Sequence, residues 1–136
     1  MSSESSDLTG GCLCGAIRYS AGAETLGNSA CHCGQCRSWS GHVWASVMVP
    51  KEALSLTGAP RWFRSSDHAE RGFCPSCGTS LFWREDGARH VSIGMGTVDE
   101  PTGLQLERHI YVDFKGDYYD IADDVPQFGT VPPRPH

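Results

Sequence analysis

Seven cysteines in a chain of 136 residues fall into three short groups, and none stands alone. Cys12-Leu13-Cys14 is a C-x-C. Cys31-His32-Cys33-Gly34-Gln35-Cys36 joins a C-x-C to a C-x-x-C. Cys74-Pro75-Ser76-Cys77 is a second C-x-x-C, followed at once by Gly78. An odd number cannot close into intramolecular disulfides alone. The first residues, MSSESSDLTG, have neither the basic nor the apolar stretch of a secretory signal. A reducing, cytoplasmic setting is therefore expected, where clustered thiols hold metal or do chemistry more often than they form bridges. Burial as small hydrophobes does not account for the clustering. A redox role is disfavoured because no C-x-x-C opens a helix in a recognisable βαβ unit.

Each spacing has a physical use. In C-x-x-C the chain turns tightly, and both sulfurs can reach one ion about 2.3 Å away. Pro75 presets that turn, and Gly78 accepts a positive φ that would strain other residues. In an extended strand the two cysteines of a C-x-C point the same way, which suits two ligands of one ion. A closed tetrahedral site takes four ligands and is structural, whereas a catalytic zinc keeps three protein ligands and an open position. Seven thiolates divide naturally into four plus three. The run from Cys31 to Cys36 supplies three locally, and Cys12, Cys14, Cys74 and Cys77 make the closed site. A single zinc, with the triad left empty, stays open on spacing alone. His32, in the middle of a C-x-C, is expected to point away from the ion.

The rest of the chain is an ordinary globular sequence. It is 39% hydrophobic and 20% charged, with formal net charge -5 and pI near 5.6. One domain is expected. No run reaches the roughly 20 apolar residues of a membrane helix, and an acidic chain without a basic tract argues against general nucleic-acid binding. Sixteen glycines and eight prolines leave few windows for three clean helical turns. Short strands are expected over 16–19, 43–49, 54–56, 61–64, 79–83, 89–93 and 105–112, with one short helix or turn near Gly34. Residues 1–9 read as a flexible N-terminus, 10–125 as one zinc-binding domain, and 126–136 as a proline-rich tail lying extended on the surface. The class is mostly β.

Four segments carry a family resemblance: GGCLCGAIRY (10–19), CHCGQCRSWSG (31–41), ERGFCPSCGTSLFW (70–83) and ERHIYVD (107–113). In this order they resemble the glutathione-dependent formaldehyde-activating enzymes, also called the centromere-protein-V-like family. The resemblance implies a β-tent fold of short antiparallel sheets stabilised by zinc, two ions per chain. It implies a structural zinc on Cys12, Cys14, Cys74 and Cys77, and a catalytic zinc on Cys31, Cys33 and Cys36. It also implies a carbon–sulfur lyase of the S-hydroxymethylglutathione synthase kind, joining a glutathione-like thiol to formaldehyde or a related aldehyde. The alternative it leaves is a non-catalytic thiol carrier or zinc-supported binding module.

For such chemistry, a three-thiolate zinc favours binding a fourth sulfur over activating water, because its own ligands weaken it as a Lewis acid. An anionic thiol needs local donors. Arg37, tethered beside the triad, is the first candidate, and Arg64 before the second knuckle is another. His42 and His109 can each carry a proton near neutrality or serve as structural histidines. Trp39, Trp44, Trp62 and Trp83 are expected in the core or lining a pocket.

Overall fold

Short stretches of β-branched and aromatic residues, punctuated by glycine and proline, fold among the described residues into ten strands and one short α-helix. The structure, a computed structural model, describes residues 7–132. The strands are β1 (Leu8–Gly11), β2 (Arg18–Ala21), β3 (Gly27–Cys31), β4 (Trp44–Pro50), β5 (Leu54–Thr57), β6 (Arg61–Arg64), β7 (Ala69–Phe73), β8 (Ser80–Glu85), β9 (His90–Gly94) and β10 (Arg108–Ile110). Helix α1 (Gly34–Ser40) follows β3. The class is mostly β, as expected. Among the described residues no helix is long and apolar enough to cross a membrane. Residues 1–6 and 133–136, which belong to the expected flexible start and proline-rich tail, lie outside the described residues.

The chain forms two compact units. The first takes residues up to Gly27 together with Val47–Gly103. It holds an antiparallel sheet of order β1-β2-β5 and a β6-β7-β8-β9 meander whose β9 edge is joined by β4, a strand of which Val47–Pro50 lie in this unit. Its core is apolar: Ile17, Val47, Val49, Leu81, Phe82 and Ile93 are almost completely buried. Phe82 sits at the centre, edge-on to Tyr19 at 5.7 Å and stacked with Trp62 at 6.0 Å. The Arg84 guanidinium covers the Trp62 ring at 3.6 Å.

Strand β1 is made by close approach rather than by β-propensity. A Cβ added at Gly10 would lie 2.2 Å from the Thr97 carbonyl oxygen and 2.4 Å from the Tyr19 hydroxyl. That hydroxyl is fixed by Thr97 Oγ1 at 2.8 Å, so neither neighbour can yield cheaply. Gly10→Ala is expected to lower stability by about 1–3 kcal/mol, the usual cost of overpacking. Urea unfolding measures it, and an unchanged midpoint would show that the contact relaxes.

The second unit takes Asn28–Ser46 with the chain from Leu104 onward. Here β10 pairs parallel with β3, matching His109 to Ala30 and Ile110 to Cys31. Residues 126–130 run beside β10 and the turn after it. The His109 N–H donates to the Pro126 carbonyl at 2.8 Å, and the Phe128 N–H donates to the His109 carbonyl at 2.9 Å. The segment thereby covers a strand edge that would otherwise present unpaired groups. The interior of this unit is unusually polar, with His32, His109 and Asn28 buried beside Ala30 and Trp44.

Candidate metal centres

The first cluster belongs to the first unit. Strand β1 ends at Gly11 and β2 begins at Arg18, so Cys12 and Cys14 sit in the hairpin loop between them. The Cys12 N–H donates to the Ile17 carbonyl at 3.0 Å, and the Gly15 N–H to the Cys12 carbonyl at 3.2 Å. This corrects the expectation of an extended C-x-C: the two cysteines share a side because the chain turns back between them. Leu13 is thrown outward, 89% exposed. The 74–78 knuckle forms as the spacing predicts. The Gly78 N–H closes it on the Cys74 carbonyl at 2.8 Å, and Gly78 has φ of 79°.

The four sulfurs of Cys12, Cys14, Cys74 and Cys77 lie within 4.8 Å of one another. Cys12 Sγ is 3.6 Å from Cys14 Sγ, which is 3.8 Å from Cys74 Sγ. Four sulfurs set tetrahedrally about 2.3 Å from one ion would stand about 3.8 Å apart. The donor set therefore fits a tetrahedral ion with zinc-length bonds.

Donors to the sulfurs are already in place. The Ile17 N–H points to Cys12 Sγ at 3.2 Å, and the Ser76 and Cys77 N–H groups point to Cys74 Sγ at 3.3 and 3.4 Å. Thr79 Oγ1 accepts from the Leu13 N–H at 3.0 Å and lies 3.1 Å from Cys77 Sγ, so its hydroxyl proton is directed to the sulfur. That contact, then the Thr79 backbone, lowers the Cys77 pKa to about 5, favouring the thiolate a metal requires. Thr79 was not foreseen from sequence; a hydroxyl residue directly after a knuckle glycine was the available signal.

The second cluster belongs to the second unit. Strand β3 delivers Cys31, and α1 opens three residues later. Cys33 is the helix N-cap, with φ -68° and ψ 156°, and its sulfur accepts the Cys36 N–H at 3.3 Å. The cap fixes the first turn and places Cys36 on the same side. The three sulfurs lie within 4.8 Å of one another, and among the described residues no fourth Cys, His, Asp or Glu joins them. The Cys31 thiol is pushed far up, first by the neighbouring Cys33 and Cys36 sulfurs and then by burial. Three adjacent thiolates repel one another, and a cation among them removes that repulsion.

His32 turns away from the sulfurs, as expected. Its Nδ1 meets the Tyr119 hydroxyl at 2.7 Å and its Nε2 meets His109 Nδ1 at 2.8 Å. Burial, then the neighbouring His109, lowers its pKa to about 4, so the ring is neutral at physiological pH. His109 Nε2 in turn faces Asp123 at 3.0 Å. His109 thus has both ring nitrogens engaged, whereas His42 is exposed with Nδ1 2.8 Å from the Tyr118 hydroxyl. The histidine chain was not foreseen, since nothing in the sequence brings residues 32, 109, 119 and 123 together.

The two arginines differ. Arg37 is in the triad's own unit, on α1, where Nε donates to the His32 carbonyl at 3.1 Å and Nη2 to the Phe114 carbonyl at 3.2 Å. Arg64 is in the other unit, on β6, and forms a two-pronged pair with Asp86 at 2.9 and 3.0 Å. Among the tryptophans, Trp44 is buried against Trp39 at 5.2 Å, and Trp62 stacks on Phe82.

Comparison with known proteins gives likenesses in sequence and in fold. Residues 7–114 match the family model described as glutathione-dependent formaldehyde-activating enzyme. An uncharacterized lyase of Schizosaccharomyces pombe is 32% identical over 124 residues, covering 90% of each chain. A crystal structure of a Rhodobacter sphaeroides protein superposes with a TM-score of 0.58 at 19% identity, covering 71% of this chain and 90% of that one. That last likeness speaks to fold alone. Cysteine spacing, architecture and sequence similarity converge: the chain belongs to the glutathione-dependent formaldehyde-activating enzyme family.

Proposed function

We propose that the protein is a zinc-dependent carbon–sulfur lyase that forms or breaks a thiol–aldehyde adduct, with glutathione and formaldehyde or a related pair as substrates. Two zinc ions per chain are part of this reading. Cys12, Cys14, Cys74 and Cys77 would hold a structural ion, and Cys31, Cys33 and Cys36 a catalytic one. The observation that carries it is the second cluster: three sulfurs converge, and the one imidazole between them is engaged elsewhere at both nitrogens. The triad thus leaves one corner of a tetrahedron for an incoming ligand. Family membership and the lyase relative support the reaction class.

When bound there, zinc would supply the positive charge that draws the proton from a visiting thiol and keeps its sulfur beside the aldehyde. The chain's own residues do the rest. The Cys36 N–H holds Cys33 Sγ in place, and the cap keeps the helix start rigid. Of His32, His42 and His109, only His42 is exposed to exchange a proton with solvent, because the other two are closed at both ring nitrogens. In a cytoplasmic setting the triad thiols would stay reduced and available.

Arg37 is the proposed contact for a carboxylate of the thiol. Arg64 has less support, since Asp86 already satisfies it. Arg37→Ala is expected to raise the thiol KM about ten-fold, the usual worth of one charge-assisted hydrogen bond. An unchanged KM removes Arg37 from the site. The reaction itself is tested by NMR exchange between thiol, aldehyde and adduct. Acceleration by the zinc-loaded protein is expected, whereas the uncatalysed exchange rate would point to a thiol carrier.

A further inference from the structure

His32 is held at every polar atom it has. Its N–H donates to the Ile110 carbonyl at 3.0 Å, and its carbonyl accepts from Arg37 Nε at 3.1 Å. Its ring is held by Tyr119 and His109. The residue so fixed is the link between two of the three triad cysteines, Cys31 and Cys33. Both imidazoles are about as buried as any side chain in their unit, His32 at 2% and His109 at 5% exposure.

With one proton on each imidazole, the hydrogen bonds run in one direction once the far end is fixed. Asp123 is a carboxylate whose Oδ1 also accepts the Val125 N–H at 3.0 Å. It can only accept from His109, so Nε2 of that ring carries a proton, and a ring with a single proton then has Nδ1 as its acceptor. His32 Nε2 must then be the donor toward His109, leaving its Nδ1 to accept the Tyr119 hydroxyl proton. The Tyr119 oxygen remains open to the Gly116 N–H at 3.4 Å. One carboxylate therefore orders two imidazoles and one hydroxyl.

We infer that Asp123 is a positioning residue for the triad: acting through His109, it fixes the tautomer and orientation of His32 and thereby the placement of the Cys31 and Cys33 sulfurs. Tyr119 completes the arrangement from the opposite side. Asp123 and Tyr119 lie beyond residues 7–114, the stretch that matches the family model. The inference rests on the triad holding a metal. It does not rest on the reaction that follows.

The test uses the full chain and reads the imidazoles and the metal, not turnover. Nitrogen-15 NMR of the zinc-loaded protein is expected to show both His32 and His109 protonated at Nε2. Asp123→Ala is expected to mix those tautomers and weaken zinc binding at the triad about 10–100-fold, the usual effect of removing an outer hydrogen-bond partner. The four-cysteine cluster, in the other unit, serves as internal control and should keep its affinity. Asp123→Asn retains an acceptor oxygen and should restore both the tautomers and the affinity. Competition with a chromophoric chelator measures the two sites separately. Unchanged tautomers and triad affinity in Asp123→Ala would overturn the inference, as would an equal loss at both clusters or no rescue by asparagine. A wild-type triad that takes up no zinc would overturn it as well. Zinc uptake with the expected tautomers but no catalysis would sink only the lyase reading.

Discussion

Replacing Cys33 with serine is expected to reduce thiol–aldehyde exchange to the uncatalysed rate while the protein stays folded. The prediction separates the two jobs of this residue. As the N-cap of α1, Cys33 accepts the Cys36 N–H through its sulfur. Serine is among the preferred N-caps and can take over that bond, so the helix start should survive. As a soft thiolate donor it has no substitute in a serine hydroxyl. Cys33→Ser should therefore lose one zinc per chain and keep its thermal midpoint within a few degrees. Cys33→Ala should lose the zinc and also about 1 kcal/mol of stability with the cap. Elemental analysis and thermal unfolding of the two variants check both parts. Retained exchange activity in Cys33→Ser would remove the triad from the chemistry.

The largest effect on stability is expected at the other cluster. Cys74 is completely buried and accepts two backbone N–H groups. Its sulfur faces that of Cys14, 60 residues earlier in the chain. Structural zinc sites contribute on the order of 10 kcal/mol to folding, as much as the whole stability of a typical domain. Cys74→Ala, or removal of metal by a strong chelator, should therefore abolish cooperative unfolding of the first unit rather than shift its midpoint slightly. Circular dichroism against temperature, with and without chelator, reads this. A chelated protein that unfolds at the wild-type midpoint would show that the apolar core around Phe82 suffices.

The grouping of the cysteines into four and three was legible because spacing is a local property. The C-x-x-C knuckle, the positive φ at Gly78 and the outward turn of His32 all follow from a few adjacent residues. Strands rich in aromatic and β-branched residues were legible too, and β6 falls on the expected residues Arg61–Arg64. The strands missed were those built by tertiary approach. β1 reads LTGG, β3 reads GNSAC and β7 reads AERGF, none with a convincing alternation. In β7, Gly72 lies beneath Trp62, where an added Cβ would come within 2.9 Å of the ring. A glycine there weakens the propensity signal while making the packing possible. The expected strand over 105–112 shrinks to Arg108–Ile110, because its start is spent on side-chain and backbone contacts to Asn28 rather than on a ladder. The histidine chain was hidden for a related reason. His32 and His109 are 77 residues apart and meet only because β10 lies parallel to β3.

The central claim is that the Cys31, Cys33 and Cys36 sulfurs hold a metal and leave one position for a thiol from outside. Cobalt(II) in place of zinc makes that position visible, because each sulfur bound to cobalt adds charge-transfer absorption in the near ultraviolet. Titrating the cobalt-loaded protein with glutathione should add the contribution of one further sulfur and saturate. The Cys33→Ser variant should show no such increase. A wild-type spectrum that glutathione leaves unchanged would contradict the account.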